Sequence, residues 1–212
     1  MRLPRLLLVL SALFLVGSPL LRADDTQEFL DPKNWEGNMD IWKVEKDSII
    51  GETKKDPGFN TFLCSKEKYK DIELTFKVKL TDGIGNSGVQ FRSEVTDAKK
   101  FVVRGLQADI GQEYWGSLYG EGVGGMVMAS DAKVVDKVVK KKEVNDYQIM
   151  AKGSKVTIKI NGEAMVDGDF PKLPGKKDAK DFAADGVIAF QAHAGYPKMK
   201  VEFLEIKFTK LK

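Results

Sequence analysis

Apolar and polar residues alternate with a period of two along most of this chain, and that spacing admits strands and little else. In DIELTFKVKL (71–80), Ile72, Leu74, Phe76, Val78 and Leu80 fall on one side and polar residues on the other. KVTIKING (155–162) repeats the pattern and ends on Asn161-Gly162. That dipeptide favours a two-residue hairpin, so a partner strand is expected over 163–166. WKVEKDSII (42–50) and FNTFLCSK (59–66) fit two more strands. KVEFLEIKFTKL (200–211) alternates through Val201, Phe203, Ile206 and Phe208, and its one-residue slip after Phe203 predicts a bulge. One segment departs. SDAKVVDKVVKKKEVNDY (130–147) places apolar residues at 134, 135, 138 and 139, the spacing of a helix face capped by Ser130 or Asp131. A short helix is expected near 131–142. PKLPGKKDAKD (171–181) reads as a surface loop. With no internal repeat and no interdomain linker, the strands belong to one all-β domain, a sandwich or barrel.

The N-terminus stands apart from this pattern. Arg2 and Arg5 precede an apolar run over 6–16, which Gly17, Ser18 and Pro19 end. The run is too short for a bilayer, which takes roughly 20 apolar residues, and it has the layout of a secretory signal peptide. Cleavage is expected after Ala23, dividing the chain into a signal at 1–23 and a single mature domain at 24–212. The mature protein is then exported, to the periplasm or beyond the cell, with no membrane attachment. The formal charge of +3 is carried by Arg2, Arg5 and Arg22 and falls to zero when they leave. With no net charge and no basic stripe, electrostatics give no reason to propose nucleic acid as a partner. Cys64, the only cysteine, allows no internal disulfide; among apolar neighbours it reads as a small buried residue. Nothing in the sequence points to an oligomeric state.

Three strands carry polar faces of an unusual kind. In NSGVQFRSE (86–94), Val89 and Phe91 point one way and Gln90, Arg92 and Glu94 the other. In GLQADIG (105–111), Gln107 and Asp109 oppose Leu106, Ala108 and Ile110; in GVIAFQAHAG (186–195), Gln191 and His193 oppose Ile188, Phe190 and Ala192. A polar face is commonly the solvated side of an antiparallel sheet. Solvated faces elsewhere in this chain carry Lys, Glu and Thr, however, as 71–80 and 155–160 show. If the three strands are neighbours, amide, guanidinium, carboxylate and imidazole groups share one face. Such planar groups grip adjacent hydroxyls with paired hydrogen bonds and suit a polyhydroxyl ligand. Tyr114, Trp115 and Tyr119 follow directly, as sugar-stacking rings at a groove edge or, for Trp115 and Tyr119, as core. Glu121 shares a face with Tyr119 if the segment is extended. His193, the only histidine, is either structural or reactive.

Taken together, NSGVQFRSE, GLQADIGQEYWGSLYGEG, NDYQIMAKGSKVTIKINGE and DGVIAFQAHAGYPKMKVEFLEIKF resemble the 3-keto-disaccharide hydrolase family, in the family's order and across nearly all of the mature chain. The resemblance implies a concanavalin A-like jelly-roll sandwich of two antiparallel sheets with a concave carbohydrate-binding face. It also implies cleavage of glycosides already oxidised to a ketone at sugar carbon 3. Relatives often carry a basic residue soon after the tyrosine-acid block; here GEGVGGMVMAS (120–130) holds no Arg or Lys.

The chemistry needs a base near neutral pH, a stabiliser for an enolate oxygen and an acid for the leaving oxygen. His193 is the natural base by its ordinary acidity. Arg92 suits the enolate oxygen. Asp109 or Glu94 orients His193, acts as the base instead, or binds a metal. No cofactor is called for; a divalent metal on Asp and His is possible, although no spaced ligand motif supports one. Gln90, Gln107, Tyr114, Trp115, Tyr119, Glu121 and Gln191 form the expected sugar-binding set. A non-catalytic carbohydrate-binding or adhesion module would use the same face. A two-carboxylate glycosidase, drawing a pair from Glu94, Asp109 and Glu121, is the less favoured enzyme.

Overall fold

A computed structural model describes residues 23–171 and 185–212. Residues 1–22 of the expected signal segment and nearly all of the expected 171–181 loop lie outside the described residues. The elements are, in chain order, α1 (Ala23–Phe29), β1 (Trp35–Glu36), β2 (Trp42–Val44), β3 (Ile49–Thr53), β4 (Thr61–Ser65), β5 (Ile72–Leu80), β6 (Asn86–Asp97), β7 (Val102–Gly111), β8 (Leu118–Glu121), β9 (Gly125–Met128), α2 (Ala132–Val138), β10 (Asn145–Lys152), β11 (Lys155–Ile160), β12 (Glu163–Asp169), β13 (Val187–Ala192) and β14 (Met199–Lys210). Among the described residues the strands form two antiparallel seven-stranded sheets, ordered β1-β4-β13-β6-β7-β8-β9 and β12-β11-β10-β5-β14-β3-β2. No described helix is long and apolar enough to cross a membrane.

The alternation produces this sandwich directly. The apolar face of β5 is buried, and its Phe76 stacks on Tyr147 of β10 at 5.1 Å. From the first sheet, Phe190 meets Phe203 edge-on at 4.6 Å, so the two sheets share one core. The Asn161-Gly162 turn has positive φ at both residues, the geometry that matches strand twist in a tight hairpin, and β12 follows it as expected. The bulge in β14 lies between Leu204 and Lys207, with Glu205 in the left-handed region. Segment 42–50 is not one strand but the hairpin of β2 and β3. The polar Glu45–Ser48 stretch turns the chain there, and the Glu45 amide donates to the Ser48 carbonyl.

The helix expected near 131–142 is shorter at its C-terminal end. Asp131 caps α2 by accepting from the Lys133 amide. The Asn145 side chain then takes both the amide and the carbonyl of Lys140, which removes the groups a further turn would use. α1 seals one end of the sandwich. Phe29 stacks on Phe208 at 4.2 Å, and the Thr26 hydroxyl donates to the Phe208 carbonyl while accepting from its amide.

Candidate functional site

β13, β6, β7 and β8 are consecutive neighbours in the first sheet. Gln107 of β7 lies opposite Gln90 of β6 and opposite Tyr119 of β8, so all three share the face turned away from the core. Ala189 pairs with Gln90, which puts Gln191, two residues on, on that face as well. The sequence placed these residues together correctly. Their environment is drier than a solvated floor, because Gln90 and Gln191 are sealed from solvent and Gln107 nearly so.

The side chains form a connected network. Gln90 Nε2 donates to Gln107 Oε1, and the Ser93 hydroxyl donates to Gln90 Oε1. Gln107 Nε2 donates to Asp109 Oδ1 at 2.7 Å and to Gln191 Oε1 at 3.3 Å. Gln191 Nε2 is buried without a partner among the described residues. Gly88 makes room for this arrangement: a Cβ there would stand 2.6 Å from the Gln107 side chain. The amides therefore hold Asp109 more than they present themselves to a ligand, which revises their expected role as direct sugar contacts.

Asp109 is the buried carboxyl of this face. It is 6% exposed. Burial pushes its carboxyl up to about 7; the Gln107 hydrogen bond pulls the other way, and the Glu121 charge adds to the rise. Its backbone is fixed on three sides. The Asp109 amide donates to the Ser117 carbonyl, its carbonyl accepts from the Gly116 amide, and the Tyr147 hydroxyl reaches across from the second sheet to the same carbonyl at 2.9 Å. Tyr119 and Glu121 are half-buried beside it on β8, and Tyr114 is 39% exposed in the loop before. The Glu113 side chain beside Tyr114 holds that phenol above its usual range, with Asp109 and Tyr119 contributing.

Four expected site residues lie elsewhere or act differently. β6 bulges between Phe91 and Glu94, where Arg92 takes a φ of 51°. The bulge breaks the alternation that put Arg92 on the polar face. Its side chain, 2% exposed, instead ties elements of the second sheet: Nη2 donates to Asp71 Oδ1 at 2.7 Å, Nη1 to the Gly153 carbonyl and Nε to the Lys70 carbonyl. Ser93 takes the vacated phase and joins the amide network. Past the bulge, Glu94 lies opposite Arg104 and pairs with it at the surface. Trp115 is core, because the 112–117 loop folds back under Asp109. His193 follows the end of β13 in a loop, its Nδ1 against the Ala194 carbonyl and its ring edge-on to Tyr196 at 6.0 Å. Among the described residues no hydrogen bond joins it to Asp109.

Two residues that the sequence reading passed over shape the rim. Asn60 Nδ2 donates to Glu121 Oε1, and its Oδ1 accepts from the Ala194 amide. Asp56 accepts from the Gly58 and Gly195 amides, and those bonds keep its carboxyl below the usual range, with His193 contributing. The signal was there for both: a polar residue directly before an apolar strand, and an Asp-Pro-Gly turn. The tip of the β6–β7 hairpin closes the other end of the face. Phe101 and Val95 pack on Phe62, Cys64, Val103, Val187 and Ala189, and the Phe62 amide donates to the Phe101 carbonyl. Cys64 is buried as expected, and burial pushes its thiol up to about 12. Among the described residues no three His, Cys, Asp or Glu side chains gather as a metal site.

The family model described as a 3-keto-alpha-glucoside-1,2-lyase-like domain matches residues 25–209. Among solved structures, a candidate glycosyl hydrolase from Parabacteroides distasonis ATCC 8503 is 23% identical, with a TM-score of 0.59 over 84% of this chain and 94% of its own. The carbohydrate-binding module CBM66 from Bacillus subtilis is 14% identical, with a TM-score of 0.53 over 82% and 94%. A Bacillus subtilis protein with a galectin-like fold is 12% identical, with a TM-score of 0.55 over 88% and 93%. At these identities the likeness is one of fold, a sandwich of two antiparallel sheets. No curated protein matches the sequence.

Proposed function

The chain belongs to the 3-keto-alpha-glucoside-1,2-lyase-like domain family, and we propose that it is an exported, carbohydrate-active enzyme that cleaves 3-keto-glycosides by elimination across C1 and C2. One observation carries this reading: the buried carboxyl of Asp109, lifted to about 7 and held in place by Gln107. A carboxylate in water is too weak a base for a carbon acid; one whose acidity sits near neutrality is both strong enough and still ionised. The N-terminal signal layout supports the export part of this reading.

The steps follow from the substrate. A ketone at C3 acidifies the proton on C2. Asp109 takes that proton, and the electron pair of the C–H bond forms the enolate over C2, C3 and the ketone oxygen. When the enolate collapses, C3 regains its carbonyl, C1 and C2 become doubly bonded, and the C1 oxygen leaves with its electron pair and takes up a proton. Water added across the new double bond gives net hydrolysis. Arg92 is committed to Asp71 and Gly153, so the stabilising donors on this face are the phenols of Tyr119 and Tyr114. Tyr114, made a weaker acid by Glu113, keeps its proton for that purpose. The base role expected of His193 passes to Asp109, and His193 becomes a rim contact.

The test is release of a chromophore from a 3-keto-glucoside by residues 24–212, with and without EDTA, beside the unoxidised glucoside. We expect release only from the keto form, and the EDTA arm measures any metal requirement. Asp109→Asn should lower kcat by about 10²–10⁴-fold, while His193→Ala should raise KM more than it lowers kcat. Because the base must be ionised, kcat/KM should climb with pH and level off above about 7. No release under either condition, with binding to a plain glycan intact, would replace the enzyme with a non-catalytic carbohydrate-binding module.

A further inference from the structure

The amide network that holds Asp109 ends in a hydroxyl with two acceptors for one hydrogen. Ser93 Oγ lies 2.7 Å from Gln90 Oε1 and 3.0 Å from the Phe91 carbonyl. As the bonds stand, the donors all point towards the carboxyl: Ser93 to Gln90, Gln90 to Gln107, and Gln107 to Asp109. That direction suits an ionised Asp109, which can only accept. Ser93, Gln90, Gln107 and Gln191 are all buried, so the bonds are made in a dry place and polarise one another. The space is shaped for the hydroxyl as well, because a Cβ on Gly105 would overlap it. Gln191 Nε2 has no partner among the described residues, so no hydrogen bond from that nitrogen resists a turn of its amide.

A protonated Asp109 is a donor on one oxygen and needs an acceptor there. We infer that the network reverses its direction as Asp109 gains and loses a proton, and that Ser93, its pivot, is a positioning residue for the base. A half turn of each amide exchanges nitrogen and oxygen with almost no change of shape. Asp109 then donates to Gln107 Oε1, Gln107 Nε2 to Gln90 Oε1, Gln90 Nε2 to Ser93 Oγ, and the Ser93 hydroxyl to the Phe91 carbonyl. Gln191 turns with them and offers Nε2 to Gln107 Oε1. No proton travels along the relay; only the amides turn. The strands on one side, β6 and β13, bring neutral side chains to this network. The charged and titratable groups that act with Asp109 are Glu121 of β8, Tyr114 of the loop before it and Tyr147 of β10. The inference deepens the proposed reaction and rests on it for its meaning: a base in a dry site must take a proton and give it up again, and a reversible relay serves both states. The shorter of the two Ser93 bonds is the one to Gln90, so the hydroxyl favours the direction that serves the ionised form.

The relay is tested by NMR through a pH titration of the protein with labelled Asp and Gln side chains. The Asp109 carboxyl carbon is assigned with Asp109→Asn and the Gln90 side-chain amide with Gln90→Met. Gln90 makes no bond to Asp109, yet its amide signals should move with the midpoint of the carboxyl and stand still in Asp109→Asn. Glu121→Gln, which removes a neighbouring charge, should lower both midpoints together. Ser93→Ala removes the bias towards the ionised form, so the Asp109 midpoint should rise by about 0.5–1 on the pH scale, the equivalent of one neutral hydrogen bond. In Gln90→Met the same substitution should add nothing, because Ser93 acts through Gln90. In turnover of the 3-keto-glucoside, the climb of kcat/KM with pH should move up by the same amount in Ser93→Ala. A Gln90 amide that ignores the carboxyl would overturn the relay, and that measurement needs no change at Ser93. A midpoint unmoved or lowered by Ser93→Ala, or a Ser93→Ala effect that survives in Gln90→Met, would overturn it too. If the keto-glucoside is not cleaved, the proposed reaction fails, while the titration still decides the relay.

Discussion

At the scale of the residue, Asp109 sets function against stability. Its folded pKa of about 7 stands above the ordinary carboxylate value of ~3.9. The fold thus favours the protonated form. The contribution of this group to stability is complete below about pH 4, and is lost as pH rises to about 7. Above that, ionised Asp109 destabilises the protein by up to roughly 4 kcal/mol, taking 1.36 kcal/mol for each unit of the difference. Asp109→Asn keeps an acceptor for Gln107 and never ionises. In urea titrations it should be more stable than the parent at pH 8 by a few kcal/mol, with most of that advantage gone at pH 4. An advantage equal at both values would mean that the carboxyl is not held in a dry site. The supporting amides bear on the same point. At Gly88 a Cβ would collide with Gln107, so Gly88→Ala should displace the amide that donates to Asp109. It should move the midpoint of the kcat/KM pH profile, a readout that simple loss of stability leaves alone.

At the scale of the element, one bulge in β6 decides which charges serve the site. Arg92 becomes a buried tie to Asp71 and Gly153, while Glu94 becomes half of a surface pair with Arg104. Removing one partner of a buried pair strands the other and costs about 3–5 kcal/mol, whereas exposed pairs contribute about 1 kcal/mol or less. Arg92→Met should therefore destabilise the protein by roughly 3 kcal/mol in urea denaturation, and Glu94→Ala by less than about 1. The reverse order would place the sequence-based reading of Arg92 back on the polar face. This strand also marks where the sequence could be read and where it could not. Period-two spacing fixes facing only while the register holds, so Gln90, Gln107, Asp109 and Gln191 were placed correctly from alternation. Arg92 and Glu94 fell past an irregularity that no glycine or proline at that point announces. The β14 bulge was legible because its apolar residues themselves slip phase. Trp115 was ambiguous in the sequence, since a ring in a glycine-rich loop serves a rim or a core equally well. The loop's return under Asp109 resolves it, and that return is made by backbone hydrogen bonds that no side-chain pattern encodes.

At the scale of the whole molecule, the sandwich holds its reactive strand from behind. Asp109 belongs to the first sheet, yet its carbonyl accepts a hydrogen bond from Tyr147 of the second. Tyr147 is itself locked by its stack on Phe76. The tether runs through the shared core, so the two sheets form one rigid mount for a carboxyl on the far side of one of them. Tyr147→Phe keeps the ring and its stacking and removes only the donor. A lost internal hydrogen bond of this kind costs about 1 kcal/mol, with more where the abandoned carbonyl stays buried. If the tether only stabilises, kcat should be unchanged once the variant is assayed well below its melting temperature. If it positions Asp109, kcat should fall several-fold at that temperature with KM little altered, because misplacing a base weakens the transition state more than it weakens ground-state binding. We expect the second result. The two Gly116 and Ser117 backbone bonds hold Asp109 along the sheet, and among the described residues Tyr147 is the only side chain that anchors its carbonyl through the core.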